Sequence, residues 1–286
     1  MPAPLAEKAP AKINLTLRVV GRRPDGYHEL ESLVAFADLA DTLTLEPGAA
    51  ASLDVAGPFA GPSGPTADNL VLKAEAALRK RVEGLISGRF QLEKHIPVAA
   101  GIGGGSADAA AALRLLARAN NLSPGDPRLM AAALETGADV PVCLGSRATV
   151  MRGIGEKLSP PLELPHLPAV LINPRVAVPT RDVFAKFAGT KAGSALPEPV
   201  PVAAESFIAF LERHGNDLTS GAIACAPVVA EVLDGLRALP NTLLARMSGS
   251  GATCFGLFAS AGEAAAAALL LQAKHKDWFV YQTTLG

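Results

Sequence analysis

The feature that most constrains this chain is Gly101-Ile102-Gly103-Gly104-Gly105-Ser106, four glycines in five positions, running straight into Ala107-Asp108-Ala109-Ala110-Ala111-Ala112-Leu113. Glycines let a backbone approach another group closely and present several N–H groups to it. The alanine-rich run predicts a helix from about Ser106 to Asn120, whose N-terminal end adds partial positive charge. Together they form a cradle for an anion, above all a phosphate. Two other phosphate motifs are excluded. The Walker pattern G-x-x-x-x-G-K-[ST] is absent, and Gly101, Gly103 and Ser106 lack the third glycine of the dinucleotide fingerprint. Ser106 brings a hydroxyl for a phosphate or a metal ion.

A chain of 286 residues, 49% of them apolar, can bury a substantial core and has the length for two lobes around a shared cleft. Its formal net charge of -1 argues against nucleic acid or an anionic membrane as the main partner. Cys143, Cys225 and Cys254 are far apart and odd in number, which fits neither a disulfide framework nor zinc-ligand spacing and favours a reducing compartment. The opening MPAPLAEKAP lacks the apolar core of a secretory signal, and the apolar run 264–271 is too short to cross a bilayer. A soluble, cytoplasmic protein is expected.

Along the chain, Ile13, Leu15 and Leu17 alternate with Lys12, Asn14 and Thr16, predicting a half-buried strand with a polar outer face. A tight turn over Gly21–Gly26 then delivers Tyr27 and His28. Strand-like pieces follow at 41–45 and 52–55, and 57–65 reads as a loop. A helix begins after Asp68, and 89–98 is strand-like. A second helix is expected over Pro127–Thr136 with Gly137 at its exit, then a strand at 147–153. The proline-rich stretch at 155–165 marks the lobe boundary, giving domains 1–160 and 161–286. Beyond it lie a strand at 169–174, a short helix that Thr180 could cap, and a surface loop over 189–203. Helices are expected at 205–214, 227–239 and 262–275, and strands at 242–247, 253–258 and 278–284. Elements mixed in this order predict α+β lobes with antiparallel sheets.

Four separated motifs carry a resemblance to a known family: Pro10-Ala11-Lys12-Ile13-Asn14-Leu15 with Arg23-Pro24-Asp25-Gly26-Tyr27-His28; the loop from Pro97; Gly137-Ala138-Asp139-Val140-Pro141; and Met247-Ser248-Gly249-Ser250-Gly251-Ala252-Thr253. The chain resembles the GHMP kinases, and the motifs fall in that family's order. The resemblance implies a two-lobed α+β fold, with an N-terminal ribosomal-protein-S5-like lobe and a C-terminal ferredoxin-like lobe. It implies ATP as donor, Mg²⁺ carried with the nucleotide, and a small-molecule acceptor bearing cytidine diphosphate. No nucleic-acid or membrane partner is expected, and the oligomeric state is monomer or weak homodimer.

The resemblance assigns catalysis to Lys12 and Asp139. A kinase must set an acceptor hydroxyl in line with the γ-phosphate and take the proton it loses. An aspartate beside that hydroxyl does both, and a lysine steadies the transferred negative charge. ATP binding is assigned to Pro97, Val98, Ala99, Ala100, Gly101, Ile102, Gly103, Gly104, Gly105, Ser106 and Ala107, with Asn69 as either a nucleotide contact or a helix cap. For the substrate, Tyr27 would stack on the cytosine, His28 would hydrogen-bond its edge, and Phe184 would close the other face of the ring. Asn14 and Thr180 would meet the sugar-like portion, and Gly249 and Ser250 the phosphates and substrate. Ala35 stands where a glutamine is expected in many relatives, and Cys143-Leu144 is variable ground. Two rivals stay open: a kinase of the same family with another acceptor, and a catalytically silent ATP sensor on the same fold.

Overall fold

The computed structural model describes residues 3–24, 26–48, 50–61, 68–187, 196 and 199–286. Asp25, part of the expected 57–65 loop and most of the expected 189–203 loop lie outside them. In chain order the first elements are β1 (Leu5–Asn14), β2 (Arg18–Arg22), β3 (His28–Pro47), β4 (Ser52–Ala56), α1 (Leu70–Arg79), β5 (Gly88–Glu93), α2 (Gly104–Ala119), α3 (Pro127–Thr136) and α4 (Val140–Gly145). There follow β6 (Thr149–Gly153), β7 (Lys157–Leu158), β8 (Leu167–Asn173), α5 (Thr180–Ala185), α6 (Ala204–Arg213), α7 (Thr219–Cys225), α8 (Val228–Arg237), β9 (Leu244–Met247), β10 (Cys254–Leu257), α9 (Ala261–Lys274) and β11 (Phe279–Leu285).

The chain forms two compact units, each discontinuous in sequence. The first comprises Met1–Lys12, Leu39–Val98 and Gly103–Ser146; the second comprises Ile13–Asp38, Ala99–Ile102 and Arg147–Gly286. In the first unit, β5 pairs antiparallel with the C-terminal half of β3 and parallel with β4. Helices α1, α2, α3 and α4 pack on one another. The alanines of α2 make this possible: Ala109, Ala110, Ala111 and Ala112 are fully buried, so neighbouring helices approach closely. Asn69 caps α1 by accepting from Val71 N–H at 3.0 Å, and Asp126 caps α3 by accepting from Arg128 N–H at 2.9 Å.

In the second unit, β11 pairs with β8, β8 with β10, and β10 with β9, all antiparallel. The N-terminal half of β3 pairs with β2 and β6. Val229, Val232, Leu233 and Leu236 of α8 and Ala264, Ala267, Ala268 and Leu271 of α9 are buried in one apolar cluster with Val170, Ile172 and Met247 of the strands. The α8 pattern is the i, i+3, i+4, i+7 stripe expected of an amphipathic helix.

Several local expectations change: β3 already begins at His28, well before the expected 41–45 piece, and β2 takes Gly21 and Arg22 out of the expected turn. β1 begins at Leu5, and its polar residues are not an outer face: Lys12 and Asn14 are 4% and 1% exposed, as deep as Ile13. They stay buried because each has a polar partner, described below. Thr180 does not cap α5; Pro179 holds the N-cap position and the Thr180 hydroxyl is used elsewhere. The short helices α4 and α7 were not foreseen, since six or seven residues show too little periodicity to read.

Candidate active site

Lys12 Nζ lies 2.8 Å from Asp139 Oδ2, within the first unit. An ammonium in the interior needs an anionic or hydrogen-bonding partner, and Asp139 supplies it. Asp139 occupies the N-cap position of α4 but makes no side-chain cap, so its carboxylate is not spent on its own helix. Pro141 in the first turn of α4 suits the chain to turn there. Arg114 of α2 donates to the carbonyls of Cys143 and Leu144 at 2.8 and 3.3 Å, which fastens the far end of α4. Burial pushes the thiol of Cys143 up to about 12, so it stands beside this pair as an inert apolar group.

The glycine run meets the same lysine. Gly103, at the N-cap of α2, has φ 66°, and a Cβ there would lie 3.2 Å from Lys12 Cβ. Only glycine takes that conformation cheaply with so little space. Unlike α1 and α3, α2 has no side-chain cap. Its first intrahelical bond runs from Ala107 N–H to Gly103 O at 2.8 Å, so the N–H groups of Gly104, Gly105 and Ser106 have no helical acceptor. Three backbone donors left without helical acceptors beside a glycine run are what an anion cradle requires. Ala107 turns its side chain into the core of the first unit, and Pro97 and Val98 enter the loop from that side.

Ala99–Ile102 belong to the second unit and rest on the link between β9 and β10. Thr253 N–H donates to Ala100 O at 3.1 Å. Ser248 Oγ accepts from Asn14 N–H at 3.0 Å and donates to Gly101 O at 3.3 Å. Gly101 has φ 74°, and a Cβ on it would stand 2.4 Å from Gly251 O, so the two backbones touch. Gly249 is equally close, its virtual Cβ 2.7 Å from Gly101 O and 3.4 Å from Asn14 Oδ1. Ser248, fully buried, was not singled out from the sequence. Its place in the Ser248–Thr253 motif was the available signal.

The remaining substrate candidates also fall in the second unit. Thr180 and Ser250 share a hydroxyl–hydroxyl bond of 2.8 Å. Asn14 donates from Nδ2 to Ser32 Oγ at 2.7 Å, while its buried Oδ1 has no hydrogen-bond partner among the described residues. His28 stacks on Phe184 with centroids 4.9 Å apart and an interplanar angle of 22°. Tyr27 beside it is 63% exposed, a large ring presented to solvent. Burial, then the charge of Arg22, lowers the pKa of His28 from its ordinary value. The ring is therefore neutral near pH 7, with one nitrogen to donate and one to accept. Asn69 spends Oδ1 on its cap and retains an amide NH₂.

The chain is similar to known proteins along its whole length. The family described as GHMP kinases N terminal domain matches residues 69–147, and that described as GHMP kinases C terminal matches 203–277. A 4-diphosphocytidyl-2-C-methyl-D-erythritol kinase of Rhodopseudomonas palustris is 59% identical over 99% of this chain and 97% of its own length. One of Bradyrhizobium diazoefficiens is 54% identical over 100% of this chain and 99% of its own. A crystal structure of 4-(cytidine 5'-diphospho)-2C-methyl-D-erythritol kinase superposes with TM-score 0.80 and 37% identity, covering 99% of each chain. Homoserine kinase from Cytophaga hutchinsonii shares the fold at TM-score 0.70 and 19% identity, over 99% of this chain and 95% of its own. Among the described residues, no helix is long and apolar enough to cross a membrane.

Proposed function

The chain belongs to the GHMP kinases, and from that membership we propose its residue-level mechanism as a 4-diphosphocytidyl-2-C-methyl-D-erythritol kinase. The protein transfers the γ-phosphoryl group of ATP to the 2-hydroxyl of 4-diphosphocytidyl-2-C-methyl-D-erythritol, giving the 2-phosphate and ADP, in the non-mevalonate route to isoprenoid precursors. The observation that carries the mechanism is the Lys12–Asp139 pair, 2.8 Å apart, with Gly103 of the anion cradle packed on the stem of the same lysine.

The free amides at the start of α2 hold the nucleotide phosphates. Asp139 orients the acceptor hydroxyl and takes its proton as the oxygen attacks the γ-phosphorus and the bond to ADP breaks. Lys12 steadies the negative charge that passes between them. Tyr27, His28 and Phe184 recognise cytosine, with aromatic stacking worth about 1–3 kcal/mol per base. Asn14, Thr180, Gly249 and Ser250 serve the sugar-like portion and phosphates, and Asn69 offers its NH₂ to the nucleotide. Mg²⁺ arriving with ATP would neutralise phosphate charge. Ser106, half-buried in the first turn of α2, is the side chain that would hold it, because magnesium bound mostly by phosphates and water needs few protein ligands.

Along the sequence we assign 1–160 to the N-terminal kinase domain and 161–286 to the C-terminal one, with one family match on each side of that boundary; the compact units divide differently, grouping 13–38 and 99–102 with 147–286. The protein works in the cytoplasm as a monomer or weak homodimer, without nucleic-acid or membrane partners, in keeping with its near-neutral charge. The test is direct: purified protein with ATP, Mg²⁺ and a panel of polyol acceptors, followed by mass spectrometry. Phosphorylation confined to the cytidine-bearing acceptor is expected. Transfer to mevalonate or homoserine instead, or none, would overturn the reading.

A further inference from the structure

The first unit buries a charged cluster that the reaction does not use. Lys94, Asp41 and Asp108 are 4%, 0% and 2% exposed. Lys94 Nζ donates to Asp41 Oδ2 and, at 2.8 Å, to Asp108 Oδ2. Asp41 Oδ1 accepts from the N–H groups of His95 and Ile96 at 2.5 and 2.8 Å. Two carboxylates thus face one ammonium, and Asp108 Oδ1, also buried, has no hydrogen-bond partner among the described residues. A pair alone would balance charge, so burying a second acid carries a desolvation cost that packing does not require.

The three residues sit at both ends of the glycine run. Lys94, His95 and Ile96 are the backbone entering it from β5; Asp108 lies in the second turn of α2, which leaves it. Asp41, on β3, holds the entry through two main-chain bonds. Lys94 then joins that anchor to the exit. The fit beneath α2 is close: a Cβ on Gly104 would lie 3.0 Å from Ile96 Cγ2 and 3.5 Å from Lys94 Nζ. The first turn of α2 therefore rests on the ammonium and on the residue Asp41 fixes. We propose that Asp108, Lys94 and Asp41 are positioning residues for nucleotide binding, a hydrogen-bonded tie through the Lys94 ammonium that sets where the α2 amides stand for the phosphates. It rests on the phosphate reading of that loop and adds to it three buried residues beside the loop.

Asp108→Leu is the discriminating variant. It removes the tie to α2 yet leaves Lys94 and Asp41 as a balanced pair, so the fold should persist. We expect the Kd for MgADP, by calorimetry, to rise about tenfold or more, the scale of one lost charge-assisted hydrogen bond. The KM for ATP should rise in parallel, while kcat at saturating ATP and the KM for the acceptor stay within about threefold. Asp108→Asn, which keeps an acceptor oxygen for Lys94, should restore the MgADP Kd. A structural role alone predicts a lower Tm with MgADP affinity unchanged in the folded protein, and that result overturns the proposal. Equal loss of MgADP and acceptor binding also overturns it. If Asp108→Leu does not fold, Asp108→Ala is read the same way. Calorimetry with MgADP needs no acceptor, so failure here is separable from an error about the substrate.

Discussion

Lys12 and Asp139 share one 2.8 Å ion pair but not one environment: the lysine is 4% exposed and the aspartate side chain 35%. The cation is therefore fixed inside the fold while the acid stands at the surface of its unit with its other oxygen, Oδ1, turned to no cap of its own helix. That asymmetry suits a carboxylate that must meet a substrate and an ammonium that must hold still.

Asp139→Asn should keep the fold, because asparagine still offers an oxygen to the buried ammonium. Turnover should fall by about 10²–10⁴-fold, the range for a positioned acid–base group, with acceptor binding little changed. Steady-state kinetics checks this, and near-normal kcat would remove Asp139 from the role assigned to it.

Ser248→Ala strands one buried main-chain group, Asn14 N–H, and one half-buried group, Gly101 O, that now meet the serine hydroxyl. Leaving a buried polar group unmet costs about 1–3 kcal/mol. For a chain of this size that lowers Tm by roughly 2–4 °C per kcal/mol. Thermal unfolding measures it; an unchanged Tm would mean the hydroxyl bridge contributes nothing.

Cytidine diphosphate affinity should depend on His28 through its charge. Its pKa is lowered, by burial first and Arg22 second, so the ring that meets the base is the neutral one. Titrated calorimetrically between about pH 5 and 8, affinity should be flat on the alkaline side and fall only at acid pH, as the ring protonates below the ordinary histidine range. His28→Gln should abolish that acid limb. An identical acid limb in the variant would assign it to another group.

Asp108 gives stability a pH dependence of the opposite sense to an ordinary ion-paired carboxylate. Burial first, with Asp41 adding and Lys94 opposing, raises its pKa from 3.8 to about 8. Below the ordinary value both folded and unfolded chains hold the proton and nothing is lost. Between 3.8 and about 8 only the folded chain holds it, so stability declines as pH rises, until the penalty is complete above the folded value. Asp108→Asn removes the titration. Its Tm advantage over the parent should be small near the acid end of this window and grow toward the alkaline end; a constant difference would contradict the sign.

Much of this was readable along the chain. The glycine turn at Gly101–Ser106, the helix after it, the strands at 242–247 and 253–258 and the helix near the C-terminus all depend on neighbours within a few residues, where periodicity and glycine chemistry act. The buried Lys94 was also signalled, though unread: Phe90, Leu92, Lys94 and Ile96 alternate, which sets a lysine in line with a core face. Asp41 stands likewise in line with Leu39, Leu43 and Leu45. A charge at such a position demands a partner elsewhere in the chain.

The amino-acid order determined by itself which segments could be helix, strand or phosphate loop, because those preferences are set locally. It also marked Lys12 and Asp139 by the motifs around them. Only the folded chain decided that these two, 127 positions apart (139 minus 12), meet at 2.8 Å. It likewise decided that Asn14 is interior and that Ser248 bridges Asn14 to Gly101. The reason is physical: a buried polar group is tolerable only where another arrives to satisfy it, and which group arrives is a property of packing between distant segments.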